Sequence, residues 1–213
     1  LHFTIHSFPT RRSSDLAAAS VSLDHPLLEN ELGLRLSGNR SFTGLLFRLN
    51  GRHSEYATVP QGMDGNLSLT WDYSATGQLK LFTFARHSRI GVETTEGRFS
   101  GLYRGRSTNQ LYNLQWTTQE NGWSLASSAS WSTYSSKKYF GALTLSPTDR
   151  AAKLRLDATR KQGTWTFRTG GAVEQRRYQL EGTFPTNPDV VGPDAPSRSA
   201  NTSLPATHAG GYA

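Results

Sequence analysis

The chain has 213 residues with no cysteine, a single methionine and nine prolines, and only 35% of it is apolar. The lack of cysteine excludes disulfide frameworks and thiolate-held zinc or iron–sulfur sites. No run approaches the roughly 18 apolar residues that a membrane-spanning helix needs. Mean hydropathy is −0.55, low for a chain that buries one large core. Nucleotide loops and the G-x-S-x-G nucleophile turn are missing. His25, His53, His87 and His208 stand at no metal-ligand spacing, and Glu93 and Glu96 read as exposed acids. These absences argue against an enzyme, a metal site or a bound cofactor. The net charge of +7 is spread along the chain, with Lys137–Lys138 and Arg176–Arg177 as its tight pairs away from Arg11–Arg12. They read as solvated loop or strand-end residues, so nucleic acid is not the expected partner.

What is present is a succession of strand-like segments rich in Ser, Thr, Gly and aromatics. They are Leu32–Leu36, Thr43–Gly51, Asn66–Ser74, Gln78–Ser88, Gln110–Thr118, Trp123–Tyr134, Ala152–Arg160 and Trp165–Val173. Tight turns at Ser37–Ser41, Ala75–Gly77, Glu120–Gly122 and Lys161–Gly163 alternate with longer connections at His53–Asp64, Arg89–Asn109 and Ser135–Arg150. Short turns on one rim and long loops on the other are the pattern of an up-and-down barrel across an outer membrane. The predicted fold is therefore all-β, an antiparallel meander of about eight strands forming part of a larger transmembrane barrel.

A lipid-facing side should be free of charge, because Arg or Lys there costs roughly 2–4 kcal/mol at the bilayer midplane. Period-two reading gives such a side: Leu67, Leu69, Trp71; Tyr112, Leu114, Trp116; Trp123, Leu125, Ala129, Trp131; Leu154, Leu156; Trp165, Phe167. The opposite, luminal side takes Arg35, Arg48, Asp72, Lys80, Arg86, Lys153, Arg155, Asp157 and Arg168, seven cations to two anions. Such a wall would concentrate anionic solutes or acidic protein segments. Gln78–Ser88 is the least clean, since Phe82 and Phe84 share the side of Lys80 and Arg86. Either a β-bulge restores the pattern or the rings point inward. Trp71, Trp116, Trp123 and Trp165 gather near the short turns and Trp131 near the other rim, as interfacial aromatics do. Tyr103, Arg104, Arg106, Tyr139 and Phe140 fall in the long connections as candidate solute contacts.

The front end stands apart. His6–Leu16 (H-S-F-P-T-R-R-S-S-D-L) resembles the translation of a short-read sequencing adapter. We accordingly expect residues 1–16 to be non-native, 17–31 to be a linker, and 32–213 to be barrel, with 181–210 as a long external loop. The true termini then lie outside the chain.

The meander, the run Arg168–Leu180 (R-T-G-G-A-V-E-Q-R-R-Y-Q-L) before a Pro/Asn/Asp-rich stretch, and Gly211-Tyr212-Ala213 as the start of a returning strand resemble the barrel of a TonB-dependent outer-membrane receptor. That resemblance implies a location in the bacterial outer membrane, contact with its lipid, and energised uptake of a scarce solute such as a ferric siderophore. It also implies a plug domain inside the barrel and an inner-membrane TonB complex as partners of the full-length protein. No plug, TonB box or aromatic-terminated last strand is recognisable in the chain. A porin-like barrel and a soluble repetitive β-sheet protein for binding or scaffolding remain the alternatives.

Overall fold

The computed structural model describes residues 2–6, 18–29, 31–41, 43–44, 47, 56–96, 99–187 and 192–213. They form one antiparallel sheet whose spatial order equals chain order. Its strands are β1 (His2–His6), β2 (Ala18–Leu28), β3 (Leu32–Ser41), β4 (Thr58–Ser74) and β5 (Gly77–Glu96). The meander continues with β6 (Phe99–Glu120), β7 (Trp123–Phe140), β8 (Leu143–Gln162), β9 (Trp165–Pro185) and β10 (Ser197–Tyr212). All-β, up-and-down and antiparallel are thus what the chain folds into, with β1 and β10 as open edges.

No second layer covers this sheet. Among the described residues Phe140 is the one buried hydrophobic, and no large side chain is fully enclosed. The accessible surface is 15077 Å², against about 9,800 Å² for a compact monomer of this mass. A two-layer soluble sandwich would have buried the difference.

The turns are built from residues that accept left-handed backbone. Asn121 (φ 51°) and Gly122 (φ 78°) close the β6–β7 hairpin between the opposed Glu120 and Trp123. Two positive φ values match the right-handed twist of the flanking strands. Gly163 (φ 60°) does the same for β8–β9.

All the predicted strands except Thr43–Gly51 lie inside observed ones. Thr43, Gly44 and Phe47 are helical, and the rest of that segment, including Arg48, lies outside the described residues. Ser37–Ser41 is no turn but the end of β3. Its turn-forming Asn39 instead donates a side-chain hydrogen bond to Asp64 of β4 at 2.8 Å.

The expected long connections are largely strand. β5 and β6 pair without interruption to Glu96–Phe99, and β7 passes to β8 through Gly141–Ala142 alone. Five consecutive strands, β5 to β9, run 18 to 22 residues, about twice the 9–11 that cross a bilayer. Where both faces of a hairpin meet the same medium, period-two patterning is lost while the backbone ladder continues.

The segment expected as linker holds β2, where Val21 and Leu23 alternate with Ser20, Ser22 and Asp24. Within 1–16, His2–His6 pairs with β2, and 7–17 lie outside the described residues. The stretch 181–210 is strand at both ends, leaving 186–196 as the connection. Gly211–Tyr212 closes β10 rather than starting a strand.

Candidate functional site

Residues directly opposed across antiparallel strands share a face, so the register assigns sides without ambiguity. One row runs Leu32–Trp71–Leu79–Trp116–Ser127–Leu156–Gly171. The next runs Leu34–Leu69–Leu81–Leu114–Ala129–Leu154–Val173, and a third Leu36–Leu67–Thr83–Tyr112–Trp131–Ala152. None contains a charge. Their side chains are open: Leu156 is 57% exposed, Leu154 48% and Trp131 43%. A contiguous exposed apolar field of this extent is foreign to a soluble monomer's surface.

Aromatics bound the field at both ends. Tyr112 and Trp131 pack with ring centroids 5.6 Å apart at the upper limit. Trp123, with the Arg160 guanidinium 5.3 Å above its ring, and the exposed Phe167 and Trp165 mark the lower one. On β8, Ala152 opposes Trp131 and Gln162 opposes Trp165, so the two limits are ten residues apart. Ten residues extend about 33 Å along a strand, or a height of about 25 Å for strands tilted by roughly 40° as in a barrel. The apolar band of an outer-membrane barrel has that height; here the row next to the lower limit also carries Arg160 and Glu120. Trp71 and Trp116 lie between these limits, close to the short turns.

The register puts Arg35, Asp72, Lys80, Arg86, Lys153, Arg155, Asp157 and Arg168 together on the other face. It adds Asp24, Asp64, Asp149 and Glu174 there, but also Lys138, Lys161, Arg176 and Arg198, so the face stays basic. Arg35 holds Asp24 at 2.6 Å, Arg155 holds Asp157 at 2.6 Å, and Lys153 lies 3.7 Å from Glu174. Exposed pairs of this kind stabilise by a few tenths to about 1 kcal/mol each. Asp72 accepts a hydrogen bond from Gln78 at 2.7 Å. No bulge interrupts β5–β6, so Phe82 and Phe84 do stand on this polar side, Phe84 opposite Leu111. A hollow of about 470 Å³ opens at the upper part of the sheet, lined by Asn39, Asp64, Arg86, Ser88, Tyr134 and Ser136 among others.

Tyr103, Arg104, Arg106, Tyr139 and Phe140 belong to β6 and β7 rather than to loops. Sequence reading also merged the basic doublets. Lys137 and Arg177 continue the face of Trp131 and Val173, whereas Lys138 and Arg176 stand on the other. Counting by twos upward from Trp131 would have separated them. Among the described residues no group of three or more His, Asp or Glu side chains is placed to hold a metal ion.

The geometry defines an open, one-layer sector of barrel-type sheet. No family model matches the chain, and no curated protein matches it. Among solved structures it is similar to a mutant of the ferric enterobactin receptor of Pseudomonas aeruginosa, with TM-score 0.51 and 11% identity. The match covers 90% of this chain and 34% of that one, so the chain spans about a third of the length of the receptor it resembles. At that identity the likeness is one of fold alone.

Proposed function

We propose that this chain is a sector of an outer-membrane barrel of the TonB-dependent receptor type, serving energised uptake of a scarce solute such as a ferric siderophore. The observation that carries the reading is the exposed apolar band about 25 Å tall between the Trp165 and Trp131 limits, whose charges, Arg160 and Glu120, share one row beside the lower limit. Hydrocarbon is the partner that such a band fits, since water would oppose its exposure and the sheet has no second layer. The polar face then lines the lumen, where Arg35, Lys80, Arg86, Lys153, Arg155 and Arg168 meet solute or a plug domain. Strands twice the membrane's thickness carry the long hairpins outward, as the bounding walls of a vestibule. In the complete protein a plug and an inner-membrane TonB complex would gate and energise passage.

The test is cellular and physical together. The protein is expected in the outer-membrane fraction, with heat-modifiable migration on gels, and its loss is expected to abolish growth on a ferric siderophore as sole iron source. A monodisperse, water-soluble monomer that melts cooperatively would overturn the membrane reading. Correct insertion with unimpaired uptake of every iron chelate tested would overturn the receptor reading alone.

A further inference from the structure

Above the Tyr112–Trp131 limit, the face that carries the apolar band changes character within two residues. Arg150 stands directly opposite Arg177, and Arg89, Arg106 and Lys137 form one continuous cross-strand row. Like charges directly opposed destabilise an antiparallel pair, yet three such juxtapositions share this patch. Its one carboxylate on these rows is Glu181, beside Ser146. Arg106, Lys137, Arg150 and Arg177 make no ion pair among the described residues, and all four are exposed. Arg89 is engaged by neutral Gln61 at 2.7 Å. Amid these cations lies a hollow of about 460 Å³, lined by Arg106, Lys137 and Arg150, by Glu181, and by the hydroxyl-bearing Thr108 and Ser135, so that three cations face one carboxylate.

Guanidinium groups, an ammonium and hydroxyls around one hollow are a donor set for phosphate oxygens. Position selects the phosphate's source. Arg150 and Arg177 begin two residues above the Trp131 row and Lys137 lies six above it, or roughly 5 to 15 Å along the membrane normal. That is the headgroup layer, and long Arg and Lys stems bend toward it. A headgroup seated here leaves its acyl chains against Leu81, Leu114 and Leu154 directly below. We propose that this outward basic hollow binds the phosphorylated headgroup of an outer-leaflet lipid, which relieves the cation–cation repulsion and fixes the height of the sheet in the bilayer. The proposal rests on the membrane reading above.

The experiment compares two lipids on the detergent-purified protein: a bisphosphorylated acyl-glucosamine lipid and the same lipid after phosphatase treatment. Bound lipid is counted by native mass spectrometry, and insertion is followed separately by quenching of tryptophan fluorescence with chain-brominated lipid. The phosphorylated form is expected to be retained over the dephosphorylated one by about tenfold or more, from roughly 1 kcal/mol per surface cation. The triple change Lys137→Gln, Arg150→Gln, Arg177→Gln should erase that preference with quenching intact, whereas Lys153→Gln on the opposite face should leave it. Equal retention of both lipids, or displacement of the bound lipid by millimolar inorganic phosphate alone, overturns the proposal while intact quenching preserves the membrane reading. Loss of quenching in the unaltered protein overturns both.

Discussion

The indole Nε1 of Trp116 donates a hydrogen bond to the hydroxyl of Tyr73 at 2.7 Å, joining β6 to the end of β4 across β5. The Tyr73 ring reaches that position by lying over Gly77, where an added Cβ would overlap it. An aromatic covering a strand glycine restores packing that glycine cannot supply. Gly77→Val should therefore expel the ring and destabilise the sheet by about 1–3 kcal/mol. Tyr73→Phe, which loses only the hydrogen bond, should cost about 1 kcal/mol or less. Urea titration of the bilayer-inserted protein measures both. Equal costs would mean that the ring's seat on Gly77 contributes nothing.

The two faces of a single strand should respond oppositely to one charge. Leu114 lies in the middle row of the apolar band, and Asn113 beside it points to the polar side. Leu114→Arg is expected to lower the stability of the inserted state by about 2–4 kcal/mol. Asn113→Arg should fall within about 0.5 kcal/mol of the parent. Refolding equilibria in lipid vesicles decide it, and similar penalties for the two would remove hydrocarbon from the Leu114 side.

The strands were legible where two different media impose period two, and illegible where they do not. From Asn66 to Trp71 or from Ala152 to Thr159, lipid-compatible and polar residues alternate, and sequence alone places both face and strand. From Arg89 to Asn109 both faces carry polar or small residues, including Gly91, Gly101 and Gly105, so the same ladder reads as loop. β2 was hidden by Pro26, which sits at a break in its register with β3. Asp24, Asp64, Asp149 and Glu174, and with them Lys138 and Arg176, were missed on the polar side for the related reason that they fell in segments read as linker, loop or strand margin. Counting by twos separates Lys137 from Lys138, but bringing Arg106, Lys137 and Arg150 together around one hollow needed the register itself.

The β6–β7 turn is the hairpin most dependent on its own residues, with left-handed backbone at both Asn121 and Gly122. Asparagine tolerates that region and β-branched residues do not. Asn121→Val should cost roughly 1–2 kcal/mol and slow insertion, while Asn121→Gly should be close to neutral. Stopped-flow tryptophan fluorescence during folding into vesicles separates the two. A Val variant inserting at the parental rate would show that pairing along β6 and β7, not the turn, sets their register.

Beyond the Trp131 girdle, Arg176 Nε donates to Asp149 at 2.9 Å on the polar side of the projecting β8–β9 strand pair. That hydrogen bond, aided by the guanidinium's charge and opposed by slight burial, holds the Asp149 carboxyl below its ordinary range. A carboxylate with a depressed folded pKa stabilises the folded state above its unfolded value, about 4, and loses that contribution as pH falls through the folded value. With Arg176 exposed and Asp149 half-buried, the pair should act locally rather than on the whole sheet. Amide exchange, corrected for intrinsic rates, is expected to rise in Thr144–Arg150 and Arg177–Thr183 as pH drops below about 4. Asp149→Asn should show the faster exchange already at neutral pH and no further acid response there. An unchanged acid response in that variant would assign the effect to other carboxylates, with Glu174 and Glu181 the nearest on β9.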